Sequence, residues 1–476
     1  MSAMPTTTTT TTTTTLPTMT TLPTMTTIGP QTNIDRAAVF VGSISGRALP
    51  PEVIDAAKKC LADWIGVAIG ARDEPAALAV RATVARWRAP GISPVLFGAA
   101  TMPAAAALAN GTLAHCLDFD DTHVGSVAHL SAPSWAAVLA AAAANACDEA
   151  ATLAAFVAAY EVGARLGGKG FGVAVDHAGF HSTGVFGCLA AAAGAAAAMR
   201  LDAAAVANAL GAAATQVSGL TGSFGTMSKP FHAGKAAFNG VLSAELAAAH
   251  FVPALTLVEP GGPLAQSLVQ DHSHALPLAN FTDGWEVTQN TFKPYACCLL
   301  THAAIDAGRA LAGAVAGRDV ARIDCAVNPL AIHLAGKPAP NTPLEAKFST
   351  AYCVALALSG RAATPDDFSA TYVADPAVRA LMGKVVLEGD AALAETAART
   401  VVTFADGSQI GHRVELALGN PGNPLRWEDL RAKFMPLAGP VLGEPAAAEL
   451  FACIRDFERP GAMNTLWRLC ATGSPS

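Results

Sequence analysis

The sequence predicts a mainly α protein, with a large all-helical domain and a smaller α+β domain, on three observations. Apolar residues recur at helical spacing from Ile34 to about Leu268, short β-branched runs come only after Phe292, and helical spacing returns from Trp427. The expected layout is a disordered threonine-rich tail over 1–33, a helical domain over 34–292, an α+β domain over 293–426, and C-terminal helices over 427–476 that return to the helical domain. At 476 residues the chain exceeds one ordinary core, and 52% hydrophobic against 14% charged residues calls for a large buried interior or a large interface.

The tail holds ten consecutive threonines, Thr6 to Thr15, and then LPTMTT twice. It offers no periodic apolar face, so it reads as disordered, and it lacks the basic start and apolar stretch of a secretory signal. Val53 to Ala71 spaces its apolar residues by three and four and ends in small residues at Gly70. Pro103 to Leu117, Trp135 to Ala146, Ala151 to Leu166 and Ala203 to Ala214 repeat that pattern with little polar surface, as central helices do. Thr183 to Met199 is the most apolar run, but its 17 residues are mostly alanine and glycine, too few and too weakly apolar to span a membrane. Arg322 to Val327 and Thr400 to Phe404 read as strands, the second followed by the hairpin turn Ala405-Asp406-Gly407-Ser408. Trp427 to Pro436 and Pro445 to Phe457 read as the returning helices.

A net charge of -7 and a pI near 5.9 argue against a nucleic-acid binder, which needs a basic field. The mean hydropathy of +0.37 is accounted for by buried alanine-rich helices rather than membrane spans. Of ten cysteines only Cys297 and Cys298 are adjacent, and without a CxxC pair the spacing for zinc or an iron–sulfur cluster is missing. A reducing cytosol is the expected compartment.

Candidate chemistry lies where charge interrupts apolar sequence. His115-Cys116-Leu117-Asp118-Phe119-Asp120-Asp121-Thr122-His123 crowds three carboxylates and two imidazoles at a helix end. The bland alternative is an exposed, capped acidic terminus, and a metal set of Asp118, Asp120, Asp121 and His123 is a third reading, although no calcium-loop or zincin spacing is present. His129 and His181 each precede a buried helix, where the bland role is a cap or a satisfied core imidazole. Lys229 sits in Gly225-Thr226-Met227-Ser228-Lys229-Pro230-Phe231-His232, among small residues that let a ligand approach; a lysine there is costly unless it meets an anion. Phe292-Lys293-Pro294-Tyr295-Ala296-Cys297-Cys298 leads to His302 at the passage between domains, and Lys347-Phe348-Ser349-Thr350-Ala351-Tyr352 brings a tyrosine hydroxyl from the second.

In this order, LADWIGVAIGA, HCLDFDDTH, GFHSTG, GTMSKPFHAGKAA, FKPYACCLLTH, KFSTAY and DLRAKF resemble the MmgE/PrpD family of 2-methylcitrate dehydratases, cis-aconitate decarboxylases and an iminodisuccinate epimerase. The resemblance implies a helical domain with the α+β domain as a lid, a homodimer, no metal and no cofactor. It implies a small polycarboxylate substrate, and a lyase working by proton transfer beside a carboxylate, with an epimerase as the alternative. It also implies His129, His181, Lys229, His302 and Tyr352 as catalytic residues and Asp118 and Thr122 as substrate-binding ones, and Lys293, at the passage between domains, is a further substrate-binding candidate. Where the family often has His-Pro-Ser, this chain has His129-Leu130-Ser131.

Overall fold

The computed structural model describes residues 32–269 and 276–471, so nearly all of the threonine-rich tail lies outside the described residues. Thr32 and Asn33, read from sequence as its end, instead open the first helix, α1 (Asn33–Ser43). Thr32 and Asp35 form a reciprocal capping box there. The Asn33 amide donates to the carbonyls of Val258 (2.8 Å) and Pro277 (2.9 Å), which fixes the start of the chain to a distant loop.

Helices α2 (Pro51–Gly70), α3 (Pro75–Trp87) and α4 (Pro103–His115) each carry proline in the first turn, where its missing N–H is no loss. Then follow α5 (Ser131–Ala144), α6 (Glu149–Gly167), α7 (Phe171–His177), α8 (Ser182–Ala198), α9 (Ala203–Ala214), α10 (Ser228–Ala248) and the short α11 (Pro263–Leu268). Asp148 and Asp202 cap α6 and α9 by accepting from Ala151 N and Ala205 N. Along α4 every residue after Pro103 is buried, and α8 is buried almost throughout. Such helices pack through backbone. A Cβ on Gly234 of α10 would fall 2.1 Å from the Thr112 hydroxyl of α4, and one on Gly240 would fall 2.4 Å from Ala191 of α8.

The second half holds α12 (His302–Val315), β1 (Val320–Val327), α13 (Pro329–Ala335), α14 (Pro343–Ala346), α15 (Thr350–Leu358), α16 (Ala370–Val373), α17 (Pro376–Met382), β2 (Val385–Gly389), β3 (Ala398–Phe404) and β4 (Gln409–Val414). The sheet order is β2-β1-β3-β4, with β1 and β2 parallel and the other pairs antiparallel. The expected hairpin turn joins β3 to β4 with Gly407 at φ 81°, a left-handed position that glycine takes freely. Val320, Ile323, Cys325, Val402 and Phe404 of this sheet form a separate core with Ala304 and Leu311 of α12 and Val354 and Leu358 of α15.

Finally α18 (Trp427–Leu442), α19 (Glu444–Arg455) and α20 (Ala462–Ala471) complete the chain. Helix α18 runs through Pro436 and Pro440 instead of stopping at the first. Phe434 and Leu437 explain this: they fill the space over Gly66 and Gly70 of α2, and that burial outweighs the hydrogen bonds the prolines remove. The fold is mainly α, as the composition and spacing predict. Among the described residues no helix is long and apolar enough to cross a membrane.

Candidate active site

After α4 the chain turns inward through Asp118, whose φ of 52° is left-handed, a conformation that aspartate tolerates better than most side chains. The acidic segment that follows is interior rather than an exposed helix end: Asp118 is 4% exposed, Asp120 0% and Asp121 1%. Three buried carboxylates in four positions are tolerated because each faces a different partner. Asp118 Oδ1 accepts from Lys229 Nζ at 2.6 Å and Lys293 Nζ at 3.1 Å. Asp120 pairs with His115 Nδ1 at 2.9 Å, and His129 Nδ1 lies 3.2 Å from the same oxygen. Asp121 accepts from Ser131 and Asn290, while its N–H donates to Asp63 Oδ2.

These partners set the charge states. Burial pushes the Asp118 carboxyl up, but Lys229 and Lys293 outweigh it and hold the group well below the usual carboxylate range. Lys293 is pushed down by burial and up by Asp118, and the carboxylate wins. Asp120 is likewise held low by His115 and His129 against its burial. Asp121 has no lysine; burial and the neighbouring Asp63 raise it to about 7. Burial lowers His129 to about 4, and it lowers His181 well below the ordinary imidazole value with help from His115 and Lys229.

His129 Nδ1 stands between the Asp120 carboxylate (3.2 Å) and the Thr122 hydroxyl (3.4 Å). Its Nε2 lies 3.7 Å from Asp118 Oδ1. His181 stands at the N-terminal boundary of α8 but makes no side-chain cap; its Nδ1 meets His232 Nδ1 at 3.1 Å, and its ring stacks on His115 at 5.7 Å. Both histidines are therefore positioned by other side chains, not by helix capping. Lys229, in the first turn of α10, also lies over the rings of Phe224 (5.2 Å) and Phe348 (5.1 Å).

Asp118, Thr122, His129, His181, Lys229 and Lys293 line one cavity of about 110 Å³. Its remaining wall is largely apolar: Leu299 and Leu300, Leu330 and Leu334 of α13, and Phe348 before α15. The cavity thus lies where the first-half helices meet the sheet-bearing segment.

Two expected members are not in that wall. His302 begins α12, fully buried, with Nε2 3.4 Å from the Cys297 carbonyl, its ring edge-on to Tyr295, and no partner for Nδ1 among the described residues. Tyr352 is buried in α15 and donates its hydroxyl to the Asp367 carbonyl at 2.7 Å. The proposed metal set also diverges, since His123 turns away to Ser126 and Glu286. The described residues whose donor atoms do converge are His115, Asp120 and His129, and there both rings meet one carboxylate. From sequence His115 and His232 have no assigned role and Asp120 enters only through the metal reading, although the five-residue step from His115 to Asp120 hints at a turn that pairs them. Asp176, Glu395 and Phe224, which also line the cavity, carried no sequence signal.

The MmgE/PrpD N-terminal domain matches residues 35–275 and the MmgE/PrpD C-terminal domain matches residues 295–458. The chain belongs to the MmgE/PrpD family. Among relatives of this MmgE/PrpD protein, a cis-aconitate decarboxylase of Aspergillus terreus is 26% identical over 90% of this chain and 94% of its own. The cis-aconitate decarboxylase-like protein oryM of Aspergillus oryzae is 25% identical over 85% and 90%, and the cis-aconitate decarboxylase of Mus musculus is 25% identical over 61% and 62%.

Proposed function

We propose that this MmgE/PrpD protein is a metal-independent lyase that binds a small di- or tricarboxylate in the Asp118–Lys229–Lys293 cavity and dehydrates or decarboxylates it. The observation that carries the reading is the convergence of two buried lysines on one carboxylate beside two neutral imidazoles. An ammonium has three N–H groups. Lys229 spends one on Asp118, and Lys293 spends two on the Asp118 carboxylate and carbonyl, so donors remain for the oxygens of a bound acid. Within largely apolar walls those cations stabilise carbanion or enolate-like charge beside the bound carboxylate.

The neutral His129 ring offers a lone pair to take a proton from carbon, and His181 is the second neutral ring within the same wall. Dehydration uses one group on the C–H and one on the departing hydroxyl; decarboxylation needs an acid at the carbon that loses carbon dioxide. Two imidazoles in one cavity also favour a second reading, epimerisation of an amino-dicarboxylate such as iminodisuccinate. The family's names support the lyase reading, and the homodimer and the cytosolic location are parts of it, checked by sedimentation and by cell fractionation.

The test is a panel of cis-aconitate, 2-methylcitrate, citrate and iminodisuccinate in deuterated buffer, followed by NMR for hydration, carbon dioxide loss or exchange. Turnover of at least one acid is expected, with kcat reduced by about 100-fold or more in Lys229→Ala. A folded Lys229→Ala protein with unchanged turnover ends this reading.

A further inference from the structure

Asp176, in the last turn of α7, lines the same cavity as Lys229 and Lys293. It is half-buried, and among the described residues its carboxylate has no hydrogen-bond or ion-pair partner. Burial raises its pKa, against the nearby His177, His333 and Lys229. Glu395, also half-buried, lines the cavity too. The site therefore holds, beside Lys229 and Lys293, two carboxylates that lack a hydrogen-bond or ion-pair partner among the described residues. An acid bearing only carboxylates would set one of its own anions beside Asp176, which is unfavourable at short range. A carboxylate accepts hydrogen bonds and does not donate them, so the ligand group that suits this wall is a donor. Asp118 gives a second, independent sign: it lines the cavity at 4% exposure, and its Oδ2 has no partner.

We propose that Asp176 is a specificity-determining residue of this cavity, accepting a hydrogen bond from a hydroxyl or amino group carried by the bound acid. The cavity then selects hydroxy- or amino-substituted di- and tricarboxylates over their unsubstituted counterparts. This rests on the reading that the lysines hold a carboxylate.

Calorimetric binding to the full chain tests it with matched pairs: citrate against tricarballylate, malate and aspartate against succinate. The wild type is expected to prefer the substituted acid by about tenfold or more, the scale of one hydrogen bond to a charged group. In Asp176→Ala the preference should vanish while tricarballylate binds as well as before or more tightly, which also shows that the variant is folded. Equal wild-type affinities within each pair, or a preference that survives in Asp176→Ala, overturn the assignment and leave the carboxylate reading intact. No binding of any acid, or binding unchanged in Lys229→Ala, removes the carboxylate reading and this inference with it.

Discussion

Asp118 joins the two lysines, and its removal isolates their charges. Asp118→Asn leaves two buried ammonium groups without their counterion, a change that costs about 3–5 kcal/mol in comparable buried pairs. Urea unfolding at pH 7 should show that loss. The histidines predict a pH dependence. His129 has a folded pKa of about 4 against 6.5 for a free imidazole, so its contribution is complete above pH 6.5 and is lost as pH falls toward 4. The shift corresponds to about 3 kcal/mol. His181 and His232 are depressed as well and act in the same direction. Asp121, raised to about 7, acts in the opposite direction over the same window, so the comparison isolates the histidine: between pH 6.5 and 4 His129→Gln should lose less unfolding free energy than the wild type, and an equal slope in both proteins contradicts the buried neutral state. The crowding of charge in HCLDFDDTH was legible in the sequence, but its burial was not. Lys229 and Lys293, which make burial tolerable, lie 111 and 175 residues from Asp118. Asp176 gave no signal at all, because a single carboxylate before a histidine looks like any solvated helix end.

The helices show what spacing can and cannot reveal. Ala203–Ala214 matches its sequence reading at both ends, because Asp202 caps one and the apolar pattern stops at the other. Strand β2 escaped notice: its pattern is half-exposed and it contains Glu388, so no alternation marks it. Helix α20 lies within the C-terminal helical span but has no sequence boundary of its own, and α18 runs past the Pro436 at which its pattern stops, since only contact with α2 shows why the helix continues. At this scale Gly234 is the sharpest test. A methyl group there meets the Thr112 hydroxyl at 2.1 Å and the Leu108 carbonyl at 2.4 Å, so α4 and α10 must separate. Gly234→Ala should cost about 1–3 kcal/mol. It should also lower kcat, because α10 carries Lys229 and α4 leads into Asp118; differential scanning calorimetry with steady-state rates would show both.

Across the whole molecule, the last segment supports the site from behind. Lys433 of α18 donates to Asp63 Oδ1 at 2.6 Å and to the Phe119 carbonyl at 2.6 Å, between Asp118 and Asp120 in the chain. Asp63 already feels Asp120 and neighbours Asp121, so Lys433 is its main compensation. Lys433→Met should destabilise the fold by about 3–5 kcal/mol, read as a lowered midpoint in urea. A larger consequence follows from how the two walls of the cavity are made. Lys229, His129 and His181 are carried on or beside helices whose separation is set by glycine and alanine, where even a methyl group has no room. Leu330, Leu334, Phe348 and Glu395 belong to the later, sheet-bearing segment with its own core. Much of the apolar wall is thus borne by a frame separate from the one that holds Lys229, His129 and His181, so mutational drift or directed evolution can reshape that part of the cavity while the proton-moving apparatus stays fixed.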